Sequence, residues 1–427
     1  MRIVFLLHNA YGIGGTIRTV CNLAGALAAE HDVEVASVFR SREVPAFDYD
    51  PRVRLRPLAD LRAGNPARLR DDPRAGRPSA VFPRGDRTYA EYSALTDDLI
   101  GGYLAGLDAD VVVGTRPGLN VHIARQAPRR LVRVAQEHLT LDTHSTRLTL
   151  ALRRRYAALD AVTTTTQADA AVYRRRMPGI RAVGIPNGVP SAGAAVSDGS
   201  APVVVAAGRL SEAKRYDDLV RAFATVAAAR PDWTLRLYGK GDKHAALAAL
   251  IAELGLGEHV RLMGTAAPIE PELAKGSILA VTSSMESFGM TIVEGMRAGL
   301  PVVATDCPLG PREIVRDGVT GLLVPPRDVP AIAAALLELI GDGDRRREMG
   351  RAALAEAAAY DPALVAERHV RLFAELLEAR RRPAAGARAA VRATATRTAG
   401  AVPALLDAAG AAGRAAAGKA RRRAGGR

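Results

Sequence analysis

SSMESFGMTIVEGMRAGLPVVATDCPLGPREIV, residues 283–315, is the stretch that decides the fold. An apolar strand from Ile278 to Thr282 leads into it, a helix is expected from Thr291 to Ala298, and a second strand follows from Pro301 to Thr305. Strand, helix and strand in close succession form a parallel crossover unit. Glu286 falls in the turn after the first strand and Glu294 in the first helical turn, so both carboxylates lie at one edge of a sheet. A helix N-terminus at that edge offers backbone N–H groups to phosphate, and a carboxylate accepts hydrogen bonds from sugar or ribose hydroxyls. The spacing therefore suits a ligand that carries both a phosphate and a sugar.

Working outward, the same alternation fills the chain. Strands are expected at Ile3 to His8, Val33 to Phe39, Val111 to Gly114, Leu131 to Ala135, Ala161 to Thr164 and Ala182 to Ile185 in the first half. In the second they fall at Val203 to Gly208, Thr234 to Gly239, Val260 to Gly264, Ile278 to Thr282, Pro301 to Thr305 and Leu322 to Val324. This is an α/β chain of two Rossmann-like, doubly wound domains, arranged to face each other across a cleft. A length of 427 residues also exceeds what one hydrophobic core serves. The expected division is a first domain at 1–190, a linker at 191–201 rich in Gly, Ser, Pro and Ala, and a second domain at 202–380. Residues 361–380 are expected to return to the first domain. The segment 60–88 is a long connection dense in Arg, Asp, Pro and Gly, of the kind that carries function or lacks structure.

Charge and cysteine use exclude several classes. The net charge is +14, but residues 381–427 hold eleven Lys or Arg against one acid, Asp407, so the rest of the chain carries only +4. That tail has no aromatic residue and is expected to be unstructured. The near-balanced body, without a basic strip interleaved with stacking aromatics, argues against nucleic acid as a partner. Cys21 and Cys307 make no metal or CxxC pattern. The opening MRIVFLLH reads as a strand rather than a leader, and no stretch reaches the ~18 apolar residues of a membrane span. The expected location is the cytoplasm, at most against the inner face of a membrane. Contact there would use the anionic lipid surface, through Arg153 to Arg155, Arg174 to Arg176 and the tail.

Three further constellations bear on chemistry. The turn His8-Asn9-Ala10-Tyr11-Gly12-Ile13-Gly14-Gly15-Thr16 opens a helix after the first strand, and glycines there let backbone N–H groups approach a diphosphate. Arg209 and Lys214, with Arg215, precede a helix N-terminus, where the dipole disfavours cations unless an anion binds between. His138 ends an apolar strand and is placed for hydrogen bonding or proton support at a ligand. Asp48-Tyr49-Asp50 and Asp108-Ala109-Asp110 have a spacing able to hold a divalent cation, but neither follows a strong apolar strand, and both read as loop acids. No GxSxG elbow or Walker lysine motif occurs.

With these residues in view, the chain over residues 1 to about 380 resembles the retaining glycosyltransferases of family 4, which have the GT-B fold. The resemblance rests on Glu286-Ser287-Phe288-Gly289-Met290-Thr291-Ile292-Val293-Glu294, on Gly208-Arg209-Leu210 to Lys214, and on Pro186-Asn187-Gly188-Val189. It implies that Gly15, Arg209 and Lys214 bind the donor diphosphate. Phe288, Gly289, Met290 and Thr291 would contact the donor sugar and phosphate, Glu294 the ribose, and Met263 the base. Glu286 and His138 would be catalytic. The surrounding Glu137-His138-Leu139 differs from the commoner His-Asp arrangement. The segment Asp306 to Ile314 is similar to family members that build bacterial surface polysaccharides, teichoic-acid-type polymers or lipid-linked glycans, often from UDP-sugars.

The implied function is transfer of a hexosyl group from a nucleotide-diphosphate sugar, UDP-sugar favoured, to such an acceptor with retention of configuration, without metal or cofactor. GDP-mannose users share the fold, as do nucleotide-sugar epimerases and phosphorylases. A basic polyanion-binding protein is the non-enzyme alternative.

Overall fold

The structure, a computed structural model, describes residues 1–62, 72–191, 193 and 196–381. The basic tail from 382 and residues 63–71 of the long connection lie outside the described residues. The chain separates into two compact units, Met1–Gly184 with the chain from Arg368 on, and Ile185–Glu367.

In the first unit β1 (Arg2–Leu7), β2 (Asp32–Arg40), β3 (Arg54–Asp60), β4 (Val111–Gly114), β5 (Val132–Glu137), β6 (Ala161–Thr164) and β7 (Ala182–Gly184) form one parallel sheet. The order is β3-β2-β1-β4-β5-β6-β7. Six of these strands stand where the apolar runs put them. The seventh, β3, was not expected, because Arg54-Leu55-Arg56-Pro57 alternates charge and contains proline. Its place at the sheet edge accounts for this sequence, since an edge strand tolerates proline and exposed charge.

The second unit holds β8 (Val203–Ala207), β9 (Thr234–Tyr238), β10 (Val260–Gly264), β11 (Ile278–Val281), β12 (Val302–Thr305) and β13 (Gly321–Val324). They are again parallel, in the order β10-β9-β8-β11-β12-β13. Helices cover both faces, which is why β8 is apolar throughout. Val204 and Ala206 belong to a core with Leu219, Phe223 and Leu336, while Val203 and Val205 belong to another with Leu279, Ile292 and Met296.

Strand order reverses where β1 lies between β2 and β4, and where β8 lies between β9 and β11. In open parallel sheets, ligands bind beyond the carboxyl ends of the strands at such reversals. The Gly-rich turn follows β1, and the two motif loops of the second unit follow β8 and β11. Each unit thus places its motifs at its own switch point. The helix Pro362–Arg381 begins in the second unit's stretch of chain and from Arg368 is counted with the first, where Glu375 pairs with Arg181 and Arg380 with Asp160.

One close approach holds the β8 and β9 ends together. Gly239 has φ of +152°, and a Cβ there would sit 1.9 Å from the Gly208 carbonyl oxygen. Gly239→Ala should therefore lose about 1–3 kcal/mol or more of stability, read as a lower urea midpoint. Gly15→Ala, where a Cβ meets nothing within 4 Å, should unfold as the parent does. A Gly239→Ala protein with the parent's midpoint would contradict this packing.

Candidate active site

Beyond β8 the chain turns through Gly208 (φ +151°), passes Arg209, and makes a single 3-10 turn, Glu212–Lys214, before the helix Tyr216–Ala229. The three cations of this loop have different environments. Arg215, at φ +51°, is held by Asp218 at 2.8 Å, Glu212 at 3.0 Å and Asp217 at 3.1 Å, so it completes the start of its own helix. Arg209 is exposed and makes no side-chain ion pair among the described residues. Lys214 reaches across to the loop after β11, where its Nζ donates to Glu286 Oε1 at 2.5 Å.

Ser283 Oγ donates to the same Glu286 oxygen at 2.7 Å, a contact the sequence did not disclose. The two loops are also joined through backbone carbonyls of the first. Thr282 Oγ1 donates to the carbonyls of Lys214 and Arg215, each at 3.1 Å, and Ser284 N–H to that of Ala213 at 2.8 Å. Glu286 is further fixed by a backbone ladder to the loop after β12. Its N–H donates to Pro308 C=O at 3.0 Å, and its own C=O accepts from Leu309 and Gly310 at 2.9 and 3.1 Å. Gly310 permits this approach, since a Cβ would lie 1.8 Å from the Phe288 carbonyl oxygen. Burial first, then the Glu286 carboxylate, pushes the neighbouring Cys307 thiol up to about 11, which leaves it protonated and unreactive.

Phe288 is buried against the ring of Tyr360, and Gly289 (φ +108°) caps the helix Met290–Arg297. Met290 and Thr291 are the first two residues of that helix. Glu294 is its fifth residue, one position further in than the sequence suggested, and it is buried. Met263 is exposed on β10, the edge strand two places from β8. Arg209, Lys214, Glu286 and residues 288–291 therefore surround one switch point, with Glu294 in the helix behind and Met263 farther along the same edge.

In the first unit, Gly15 is the first residue of the helix Gly15–Leu27. Open space around it means that protein packing does not demand a glycine there. His138 follows β5, its Nε2 enclosed and without a hydrogen-bond partner among the described residues. Burial pushes its pKa down to about 4, so at neutral pH it is an uncharged imidazole able to donate one hydrogen bond and accept another. His8 at the end of β1 is likewise pushed to about 4, by burial first and then by Arg116.

A cluster that the sequence reading passed over supports these positions. Glu137 is buried, accepting from Asn120 Nδ2 at 2.8 Å and from the Tyr156 hydroxyl, with His144 Nε2 3.7 Å from its other oxygen. Three polar residues in a row, Gln136-Glu137-His138, ending an apolar strand were the available signal. The described part of the long connection is also anchored. Asp97 accepts from Ser79 Oγ, Ala80 N–H and Val81 N–H at 2.5, 2.7 and 3.1 Å. Asp86 accepts from Arg116 and from Gly118 N–H, each at 3.2 Å, beyond the end of β4. The loop acids bind arginines, Asp50 with Arg52 and Asp108 with Arg2.

Comparison with known proteins bears on the fold and on the family of the second unit. Residues 201–342 match the family described as "Glycosyl transferases group 1". The chain is 34% identical to an exopolysaccharide phosphotransferase of Streptomyces coelicolor over 396 residues, which is 90% of this chain and 42% of that protein. It is 38% identical to a D-inositol 3-phosphate glycosyltransferase of Nocardia farcinica over 39% of each chain. The chain thus spans about two-fifths of the length of these curated relatives. Among solved structures, Staphylococcus aureus TarM with UDP bound superposes at a TM-score of 0.70, with 15% identity over 87% of this chain and 99% of TarM. Anabaena HepE with UDP and glucose gives 0.68, with 22% identity over 88% and 100%. The chain has the GT-B fold, and its second unit carries a group 1 glycosyl transferase domain.

Proposed function

We propose that the chain is a retaining glycosyltransferase that moves a hexosyl group from a UDP-sugar to a cell-envelope polysaccharide, a polyol-phosphate polymer or a lipid-linked glycan, without a metal. The observation that carries this reading is the Lys214–Glu286 pair at the β8/β11 switch point, flanked by exposed Arg209 and by the start of the helix Met290–Arg297. As the bond from sugar to diphosphate breaks, positive charge grows on the ring and negative charge on the departing group. A fixed ammonium and helix N–H groups stabilise the second, and a fixed carboxylate beside them the first. Lys214 gives one of its three N–H bonds to Glu286 and keeps the others for phosphate oxygens. Gly15 supplies a backbone N–H, Glu294 takes the ribose hydroxyls, Met263 lies toward the base, and neutral His138 hydrogen-bonds the donor sugar. The UDP in the TarM and HepE structures supports the donor base, and the polysaccharide setting of the Streptomyces relative supports the acceptor class.

The proposal extends to the membrane. Arg154, Arg155 and Arg174 to Arg176 are exposed at the ends of the helices Thr146–Tyr156 and Gln167–Arg176. There they suit the helix dipole and leave cationic groups for an anionic lipid surface. No described helix is long and apolar enough to cross a membrane.

The Streptomyces relative's name favours a second reading, transfer of a sugar phosphate. The two differ in the bond that breaks. Glycosyl transfer cleaves the sugar C–O bond and releases UDP, whereas sugar-phosphate transfer cleaves the diphosphate and releases UMP. Chromatography of turnover products should show UDP, and UMP in its place would establish the second reading.

Lys214→Ala should lower turnover about 10²–10³-fold, equivalent to about 2.7–4 kcal/mol, in protein whose circular dichroism is native. Near-parental turnover would remove Lys214 from the diphosphate site. Calorimetry without metal should show UDP binding in preference to GDP, and loss of UDP binding in Glu294→Ala. Equal binding of UDP by that variant would remove Glu294 from the ribose.

A further inference from the structure

Tyr216 is the first residue of the helix Tyr216–Ala229, and it follows the left-handed turn at Arg215. It is 4% exposed and belongs to the same core as Val204 and Ala206 of β8 and Leu210 of the loop beyond. The ring accounts for that burial, and a phenylalanine would serve it equally well. The hydroxyl needs a separate reason, because a buried tyrosine ordinarily finds a partner for its O–H.

Gly208 shows where the hydroxyl goes. A Cβ on that glycine would lie 2.9 Å from Tyr216 Oη, 3.3 Å from Lys214 Cε and 3.7 Å from Lys214 Nζ. The hydroxyl and the ammonium therefore flank one bare Cα at the carboxyl end of β8, at the switch point that carries the Lys214–Glu286 pair. The protein does not use this hydroxyl. It makes no hydrogen bond among the described residues, and Glu286 Oε1 is already taken by Lys214 Nζ and Ser283 Oγ. Its oxygen is not enclosed either, unlike those of Tyr49 and Tyr173. Burial first, then the Glu286 carboxylate, raises the pKa of the phenol above its ordinary value, so it keeps its proton at neutral pH. A free O–H donor beside an ammonium calls for an acceptor that bears negative charge.

We propose that Tyr216 is a further phosphate-binding residue of this site: its hydroxyl and the Lys214 ammonium both donate to the phosphate that departs from the sugar, over the bare Cα of Gly208. The assignment rests on the proposed binding of a nucleotide-diphosphate sugar at the β8/β11 switch point. Negative charge grows on that phosphate as the sugar bond breaks, so an O–H already aimed at it strengthens its hydrogen bond as the reaction proceeds.

The test is Tyr216→Phe, which removes the hydroxyl and keeps the ring. Parent and variant are titrated by calorimetry, without metal, with UDP, UMP and inorganic pyrophosphate. Kd for UDP should rise about 10–100-fold in the variant, the loss expected for a hydrogen bond to a charged group. Kd for UMP, which lacks the second phosphate, should stay at the parental value. The urea midpoint should not fall, because the hydroxyl has no partner within the protein. Unchanged affinity for UDP, or an equal loss for UMP, overturns the proposal. A lowered urea midpoint does the same, since it would show the hydroxyl paired inside the fold. Pyrophosphate separates this result from failure of the glycosyltransferase reading. A parent that does not bind UDP sinks that reading, yet pyrophosphate bound by the parent and weakened about 10–100-fold in Tyr216→Phe would still support the phosphate contact. Pyrophosphate bound equally by both proteins, or by neither, would then overturn it.

Discussion

The ion pair between Lys214 and Glu286 is the contact on which the second unit's candidate site depends. It joins the loop after β8 to the loop after β11, the two strands at the reversal of strand order. Its side chains are 22% and 13% exposed, so neither charge is well solvated. A pair in that position is costly to break from one side, because the remaining charge keeps its desolvation penalty without its partner. Ser283, the Thr282 hydroxyl and the Ser284 N–H share the task of keeping the loops in register. These contacts fix the two loops against each other.

That arrangement depends on glycine at two close approaches. Gly239 lets the chain after β9 cross the Gly208 carbonyl, and Gly310 lets the chain after β12 lie against Phe288. Any side chain at either place would push a loop off the sheet edge. The first unit follows a different rule. Its sheet has uncharged imidazoles at the ends of β1 and β5, and a buried hydrogen-bonded cluster centred on Glu137 at the end of β5. The second unit's motif loops carry the Lys214–Glu286 pair, and the first unit's strand ends carry neutral imidazoles together with the Asp86–Arg116 pair.

Much of this was legible in the residues. Short apolar runs separated by helical patterns gave twelve strands and two sheets, because a strand buried on both faces must be apolar along its length. β3 escaped because an edge strand is under no such demand, and Arg54, Arg56 and Pro57 hide it. The candidate site loops of the second unit were legible from cations and glycines before helix starts. Their division of labour was not: Lys214 and Arg215 are neighbours of like charge, and only the fold turns one toward Glu286 and the other toward Asp218.

The sequence by itself determined the alternation of strands and helices and the residues that end each strand, since these follow from local periodicity, backbone preference and burial pattern. Tertiary structure decided the partners. Ser283 and Lys214 meeting on one carboxylate oxygen, and Asp86 and Asp97 gripping the long connection, are contacts between residues brought together by chain crossovers. Nothing local to either residue encodes such a meeting, because strand order and helix packing fix its geometry only once both sheets have formed.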